Sequence, residues 1–183
     1  MRSALLYYAL LTSFCTYSLK GQEINKTLIL SPENTKIEFR AKHFGVINVS
    51  GTFKIFQGQL TVVNNIVTVA RVNLNVNSLT TNNKSRDKSL KNKEFLNPEA
   101  YPTIWVDFQN NTNPAIIQSH IKIKGHTNTI PIRYQILDKN LDTKTIEATC
   151  EISREKFQLD LGSMDDLVSD KVEVAVFVTL KVK

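Results

Sequence analysis

Arg86 and Asp87 are the side chains of this sequence best suited to polar chemistry. They stand together in a short charged segment that separates two alternating stretches. The guanidinium group of Arg86 could bind an anionic or phenolic head group through charge-assisted hydrogen bonds. The alternative is structural, with Asp87 capping a turn and Arg86 tying the segment to the rest of the fold. Neighbouring residues of a helical turn point to different partners, and this favours the structural interpretation.

The histidines and the other paired carboxylates give little support to catalysis or metal binding. His43, His120 and His126 do not have the spacing of metal ligands, and no acidic partner is set against them. Asp165 and Asp166 are adjacent, so their side chains diverge and a turn or capping role is expected. The sequence contains no nucleophile-elbow, metalloprotease or phosphate-loop motif. We therefore expect neither a catalytic residue nor a metal site.

Strands must position these side chains, because alternation of apolar and polar residues dominates the chain from about residue 37. Asn, Gly, Asp and Pro residues separate about eight or nine such stretches, and residues 57–59 (Gln-Gly-Gln) are expected to form one of the turns. This spacing predicts an antiparallel barrel or sandwich in which each strand has one apolar face. Residues 85–96 and 163–169 break the alternation, and short helical segments are expected there.

The sequence does not decide whether such a barrel is filled or hollow. The inward positions include the large Phe39, Phe53 and Phe108 and the small Ala41, Gly51, Ala148 and Cys150. Small inward residues either leave volume for a ligand or complement larger neighbours in a filled interior.

The first residues have the organisation of a secretory signal peptide, which we place at residues 1–21. A basic residue at position 2 precedes an apolar stretch over residues 4–15, and small or polar residues follow. The stretch is too short to span a membrane as a helix. Cleavage is expected after Ser18 or near Gly21, which leaves residues 22–183 as a single exported domain, periplasmic or secreted.

Cysteine usage fits an exported protein, and the charge pattern indicates a basic surface. Acylation of Cys15 is less favoured than cleavage beyond it, because the preceding Phe14 is not the small residue that a lipoprotein signal needs. Cys150 is then the only thiol, without a disulfide partner, in an alternating strand. The formal charge is +6, with lysines scattered along the chain rather than clustered. This indicates no nucleic-acid partner and a basic surface suited to peripheral contact with anionic membrane lipid.

A series of short motifs runs along the chain in a fixed order. They are H-x-G (43–45), G-x-F-x-x-F-x-G (51–58), V-x-S-L-x-T-x-N (76–83), R-D-x-x-L (86–90), E-F-L-N-x-x-x-Y-P (94–102), I-K-G-H-T-x-x-I-P-I (123–132) and I-S-R-x-x-F (152–157). In this order they resemble the YceI-like family of exported bacterial polyisoprenoid-binding proteins, over roughly residues 28–183. The chain departs from the family at Phe95-Leu96, where a bulkier aromatic pair is common, and at Gln158, where glycine is usual.

The resemblance implies an all-β fold, an eight-stranded antiparallel lipocalin-like barrel with one or two short helical segments. It also implies an apolar tunnel that holds an isoprenoid or fatty-acyl lipid as ligand, with no other cofactor and no catalysis. We expect this binding to serve transport, storage or a stress response. His43 and Arg86 are the candidates for the tunnel rim and the lipid head group. The expected tunnel wall consists of Phe39, Phe53, Ile104, Val106, Phe108, Val174 and Val176.

Two other functions remain open from the sequence. One is an enzyme that acts on an isoprenoid or quinone-type lipid through His43. The other is an interaction protein with a filled barrel, in which Phe39, Phe53 and Phe108 would meet at the axis. The sequence does not identify the lipid, and it leaves a homodimer open.

Overall fold

The computed structural model describes residues 24–181, apart from the side chains of residues 163 and 164, and the backbone is mostly antiparallel strand. The signal peptide expected at residues 1–21 lies outside the described residues. The strands of the described range are β1 (Lys26–Leu30), β2 (Thr35–His43), β3 (Ile47–Phe53), β4 (Phe56–Val63), β5 (Ile66–Asn75), β6 (Leu79–Thr80), β7 (Thr103–Phe108), β8 (Ile116–Ile123), β9 (His126–Asn140), β10 (Thr143–Ser153) and β11 (Val168–Lys181). The all-β class predicted from the alternation is confirmed.

These strands form one curled sheet. Their order is β1-β4-β5-β7-β8-β9-β10-β11-β2-β3-β6, and neighbours pair antiparallel. β1 and β2 are consecutive in the chain but distant in this order, so the sheet must curl for residues 31–34 to connect them. The amide of Thr179 in β11 donates to the Asn34 carbonyl at 2.8 Å, which fixes that approach. The curled sheet encloses one face of its strands.

The strand count differs from the expected eight because three stretches are interrupted. Breaks fall at residues 31–34, at residues 54–55 and at the 3₁₀ helix Val76–Ser78. Two of the breaks are bonded to each other: the Lys54 amide donates to the Ser78 carbonyl at 3.3 Å, and the Asn75 amide donates to the Ile55 carbonyl at 3.0 Å. At these breaks the chain bends, and a long strand continues into the next part of the curled sheet.

The prediction of a turn at residues 57–59 is wrong, because these residues lie within the strand β4. Gly58 lies opposite Val72 of β5, and a Cβ atom at this position would lie 2.6 Å from the Arg71 carbonyl oxygen. The glycine therefore permits close approach of two strands, which is a second common reason for glycine within a strand.

Two short helical segments lie where the alternation breaks. The helix α1 (Lys84–Leu90) begins at Asn83, whose side-chain oxygen accepts a hydrogen bond from the Arg86 amide at 3.0 Å. It is shorter than the expected 85–96, because the chain turns after Lys91 and the Asn92 side chain accepts from the Phe95 amide at 2.7 Å. The second segment is the 3₁₀ helix Gly162–Leu167. A further 3₁₀ helix spans Glu155–Phe157.

The enclosed face has two apolar clusters, one towards each end of the strands. We call the region beside α1 the cavity half; its buried members include Ile37, Leu74, Phe95, Leu96, Ile104, Ile121, Ile123, Ile152 and Phe157. We call the opposite region the filled half; its buried members include Leu28, Leu60, Val62, Val67, Phe108, Ile117, Tyr134, Ile146, Val178 and Leu180.

Candidate functional site

A cavity of about 500 Å³ lies inside the cavity half. Its wall is built from the inward faces of strands of the curled sheet and is almost wholly apolar. Six of the seven side chains predicted for the wall line it: Phe39, Phe53, Ile104, Val106, Val174 and Val176. Both predicted rim residues, His43 and Arg86, line it as well.

Phe108 does not line the cavity. It lies in the same alternating series of β7 as Ile104 and Val106, but its ring is buried in the filled half. Alternation places the three side chains on one face of the sheet without specifying their depth along the barrel. Two residues further along the strand the interior is already filled, so Phe108 packs beneath the cavity.

Small residues in register across neighbouring strands open the cavity. One such row runs across β10, β11, β2 and β3 through Cys150, Val174, Phe39 and Gly51. The Phe39 ring occupies the space above Gly51, where it would collide with a Cβ atom, and it contacts the Phe53 ring at a centroid distance of 5.9 Å. The one large residue of the row therefore folds against the glycine and leaves the centre open.

We call the end of the cavity that is lined by α1 and by His43 its mouth. A polar network between α1 and residues 80–81 holds α1 there. The Arg86 guanidinium donates to the Thr81 hydroxyl at 2.8 Å and to the Thr81 carbonyl at 3.1 Å. The Asp87 carboxylate accepts from the Thr81 amide and hydroxyl at 2.7 and 2.6 Å and from the Thr80 hydroxyl at 2.9 Å. Desolvation opposes ionisation of Asp87, but these hydrogen bonds outweigh it and lower its pKa. The structural interpretation of this pair agrees with the geometry, and Arg86 still faces the cavity.

Arg154 supports the opposite side of the mouth, and sequence reasoning gave it no role. It is 4% exposed and donates to the carbonyl groups of Ser169, Leu159 and Val168 at 2.9, 3.1 and 2.8 Å. It also forms an ion pair with Asp165. The hydrogen bond from Arg154, with a second from the Leu161 amide, lowers the pKa of Asp165. The only sequence signal was the arginine of the I-S-R motif, whose acceptors lie 5 to 15 positions further along the chain.

His43 and Cys150 are the two lining residues with potential reactivity. The His43 ring packs against the Phe44 ring with centroids 4.2 Å apart. Burial raises the pKa of the Cys150 thiol to about 11, so at neutral pH it is a protonated apolar wall element rather than a nucleophile.

Many lining residues were not among those predicted for the tunnel wall, although most follow the same alternation. They include Leu30, Ile37, Ala41, Val49, Val72, Leu74, Leu79, Leu90, Phe95, Leu96, Ile121, Ile123, Ile132, Ile152, Leu159, Leu161, Val168 and Val172. Polar lining is confined to a few residues, among them Thr35, Lys42, Asn83, Ser85, Ser89 and Arg154.

Two other features bear on the site. Among residues 24–181, no three histidine, cysteine or carboxylate side chains converge as metal ligands would. No helix within that range has both the length and the apolar character needed to cross a membrane.

Comparison with known proteins gives a consistent family assignment. The model of the YceI-like domain matches residues 29–180. A UPF0312 protein of Pseudomonas paraeruginosa is 32% identical over 111 residues, which is 58% of each chain. An Enterobacter UPF0312 protein is 41% identical over 68 residues, 36% of this chain and 35% of that protein. The chain thus matches 58% of the length of the first of these relatives and 35% of the length of the second.

Solved structures share the fold at low sequence identity. BcnA of Burkholderia cenocepacia superposes with a TM-score of 0.73 at 18% identity, covering 82% of this chain and 99% of that one. A polyisoprenoid-binding domain from Saccharophagus degradans, implicated in plant cell wall breakdown, has a TM-score of 0.67 at 10% identity, covering 87% of this chain and all of that domain. These two structures therefore share the curled sheet with this chain, in addition to the family match of its sequence.

Proposed function

The chain belongs to the YceI-like family, and from this premise we propose that it binds a polyisoprenoid or another long-chain lipid in the cavity without transforming it. The observation that carries the proposal is the cavity of about 500 Å³ with an almost wholly apolar wall. Sites for small molecules and cofactors commonly have such a size and lining, with a few polar groups that fix orientation.

The energetics favour a chain-like ligand. Each methylene group that moves from water into an apolar wall contributes about 0.8 kcal/mol, so a long chain binds tightly with few polar contacts. Arg86 and His43 are among the few polar groups that line the cavity, and both lie at its mouth. We assign the lipid chain to the interior and its head group to the mouth.

The proposal includes a lipocalin-like barrel of eight bent strands. If β1 with β2, β3 with β4, and β5 with β6 are each counted as one bent strand, the observed pairings connect eight strands in a cycle. A cycle of this kind encloses a ligand-sized interior when its inward residues are small.

A binding role is supported over catalysis by the surroundings of His43. Its ring packs against the Phe44 ring rather than against a carboxylate that could orient it as a base. The His43→Ala variant is expected to retain lipid uptake. We expect the substitution to cause no loss of isoprenoid or quinone turnover. Turnover by the wild-type protein that disappears in this variant would favour the enzyme instead.

The direct test is mass spectrometry of an organic extract of the purified protein, followed by titration of the emptied protein with a polyprenol. We expect a co-purified lipid or saturable polyprenol uptake. Cys150 provides an internal reporter, because a polyprenol in the cavity should slow its modification by an apolar maleimide. Absence of both lipid and uptake would eliminate the proposal.

Export through the signal peptide at residues 1–21 is part of the same proposal, since it would place the protein beside membrane lipids. Under it the lipid is carried, stored or withdrawn from a membrane outside the cytoplasm. N-terminal sequencing of the protein recovered from cells tests this step, and a protein that still begins at Met1 would contradict it.

A further inference from the structure

The turn between β2 and β3 carries a cluster of exposed apolar side chains. We call residues 44–47 the tip; Phe44, Val46 and Ile47 are 57%, 79% and 53% exposed. Exposed apolar residues scattered singly are normal, but three within four positions of one hairpin are a contiguous patch that suggests a binding surface.

The tip lies directly beside the mouth of the cavity. The preceding residues Lys42 and His43 line the cavity, and the His43 ring contacts the Phe44 ring. The Phe44 amide donates to the Leu167 carbonyl at 2.7 Å, which fixes the hairpin against the segment on the other side. Phe44 and Gly45 both have positive φ, at 52° and 70°, so a defined tight turn presents the apolar side chains.

The surface next to the tip is basic on the α1 side. Residues 82–93 contain five basic residues and one acidic residue, and Lys84 and Lys88 are exposed on α1, whose inner face lines the mouth. Lys42 adds a charge on the hairpin itself.

The opposite side of the mouth has acidic residues, at Asp160, Asp165, Asp166 and Asp170. Three of them are engaged within the fold. Asp165 pairs with Arg154, Asp160 accepts a hydrogen bond from the Gly162 amide, and Asp170 accepts one from the Glu155 amide. The asymmetry favours approach of an anionic surface from the α1 side.

We propose that the tip and the basic surface of α1 dock the mouth of the cavity onto an anionic lipid bilayer. An apolar protrusion flanked by lysines is the pattern by which peripheral proteins bind such surfaces. The inference rests on the proposed lipid ligand, because a mouth pressed against the bilayer lets a chain pass between membrane and cavity without crossing water.

The test compares variants in vesicle co-sedimentation. Phe44→Asn with Val46→Ser removes two of the three exposed apolar side chains of the tip, and asparagine at position 44 tolerates positive φ. The matched control is Ile29→Ser with Leu141→Ser, two exposed apolar residues away from the mouth. All proteins share the same N-terminal residues, so these contribute equally to every comparison.

We expect the wild-type protein and the control to sediment with vesicles of equal parts phosphatidylglycerol and phosphatidylcholine, and more weakly with phosphatidylcholine alone. The tip variant should bind the anionic vesicles at least tenfold more weakly, and added salt should weaken the wild-type protein. Equal binding by the tip variant and the wild-type protein, or no wild-type binding, overturns the inference.

Two further measurements separate the explanations. Uptake of a polyprenol from vesicle-free solution should be unchanged in the tip variant, so a failure of wild-type uptake there counts against the proposed function and not against docking. Light scattering tests whether a second copy of the chain, rather than a bilayer, covers the tip. If the wild-type protein is a dimer and the tip variant is a monomer with unchanged vesicle binding, the inference is also overturned.

Discussion

The two halves of the interior of the curled sheet have the same alternating pattern, but one half is filled and the other is open. Along β11, Val172, Val174 and Val176 are only half-buried in the cavity half, whereas Val178 and Leu180 are fully buried in the filled half. The difference lies in what faces them across the interior. A row such as Cys150, Val174 and Gly51 leaves space, whereas Tyr134 and Phe108 close it.

The filled half is also fixed by a buried hydrogen-bond donor and acceptor. The Tyr134 hydroxyl donates to the Asn113 carbonyl at 2.9 Å and accepts from the Val67 amide at 3.2 Å. At the mouth the comparable polar contacts hold segments over the opening, through Arg86 and Arg154. Both halves contribute a buried apolar cluster, and the cavity half also contains the site.

The largest expected effect compares two phenylalanines. Phe108→Ala should lower the free energy of unfolding by about 3–5 kcal/mol, because it removes a ring from closely packed surroundings. Phe53→Ala should cost less than half of that, since its ring already borders open space. Urea unfolding measures both, and equal losses would contradict the division into a filled and an open half.

The sequence predicts the inward face of the strands but not their depth. Alternation along β7 correctly grouped Ile104, Val106 and Phe108, yet it contains no information on which of them reaches the filled half. The resemblance supplied the expectation of a tunnel, and six wall residues proposed under it line the cavity. Arg154 was missed because most of its acceptors are backbone carbonyls, which any sequence provides and no pattern marks.

Arg154→Ala tests whether polar contacts stabilise the mouth as packing stabilises the filled half. The variant leaves the carbonyl groups of Leu159, Val168 and Ser169 without their donor and should cost about 2–4 kcal/mol. Hydrogen exchange should then show increased opening of residues 155–170 while β4 and β5 stay protected. Uniform loss of protection across the sheet would mean that the arginine stabilises the whole fold rather than the mouth.

Added volume should have different consequences in the two halves. Ala70 is buried in the filled half, so Ala70→Leu overpacks that region and should cost about 1–3 kcal/mol. Val106→Phe extends into the cavity, so it should leave stability nearly unchanged while blocking polyprenol uptake. The measurements are urea unfolding and ligand titration, and a Val106→Phe variant that binds polyprenol as the wild-type protein does would place the ligand elsewhere.

Acid should weaken the mouth through Asp165. Its pKa is lowered in the folded protein, so its contribution is fully present above the ordinary value of 3.8 and is lost as the pH falls through the lowered value. Because the carboxylate is partly exposed, the contribution should be under about 1 kcal/mol. The stability difference between the wild-type protein and Asp165→Asn should be constant from pH 7 to pH 5 and shrink below pH 4. A difference that grows in acid would reverse the assigned sign.

The smallest effect concerns backbone conformation at the two ends. In residues 24–181, the positive φ values of the filled half include Asn64 at 50°, whereas Gln158 adopts 53° in the segment that supports the mouth. Asparagine tolerates this left-handed conformation. For glutamine, the left-handed conformation costs about 1–2 kcal/mol relative to the right-handed one. Gln158→Gly relieves that strain and loses part of the gain to the greater entropy of the unfolded chain. We expect a net stabilisation of about 0.5 kcal/mol in urea unfolding, and no gain from the matched Asn64→Gly. Equal shifts in the two variants would mean that the mouth carries no more backbone strain than the filled half.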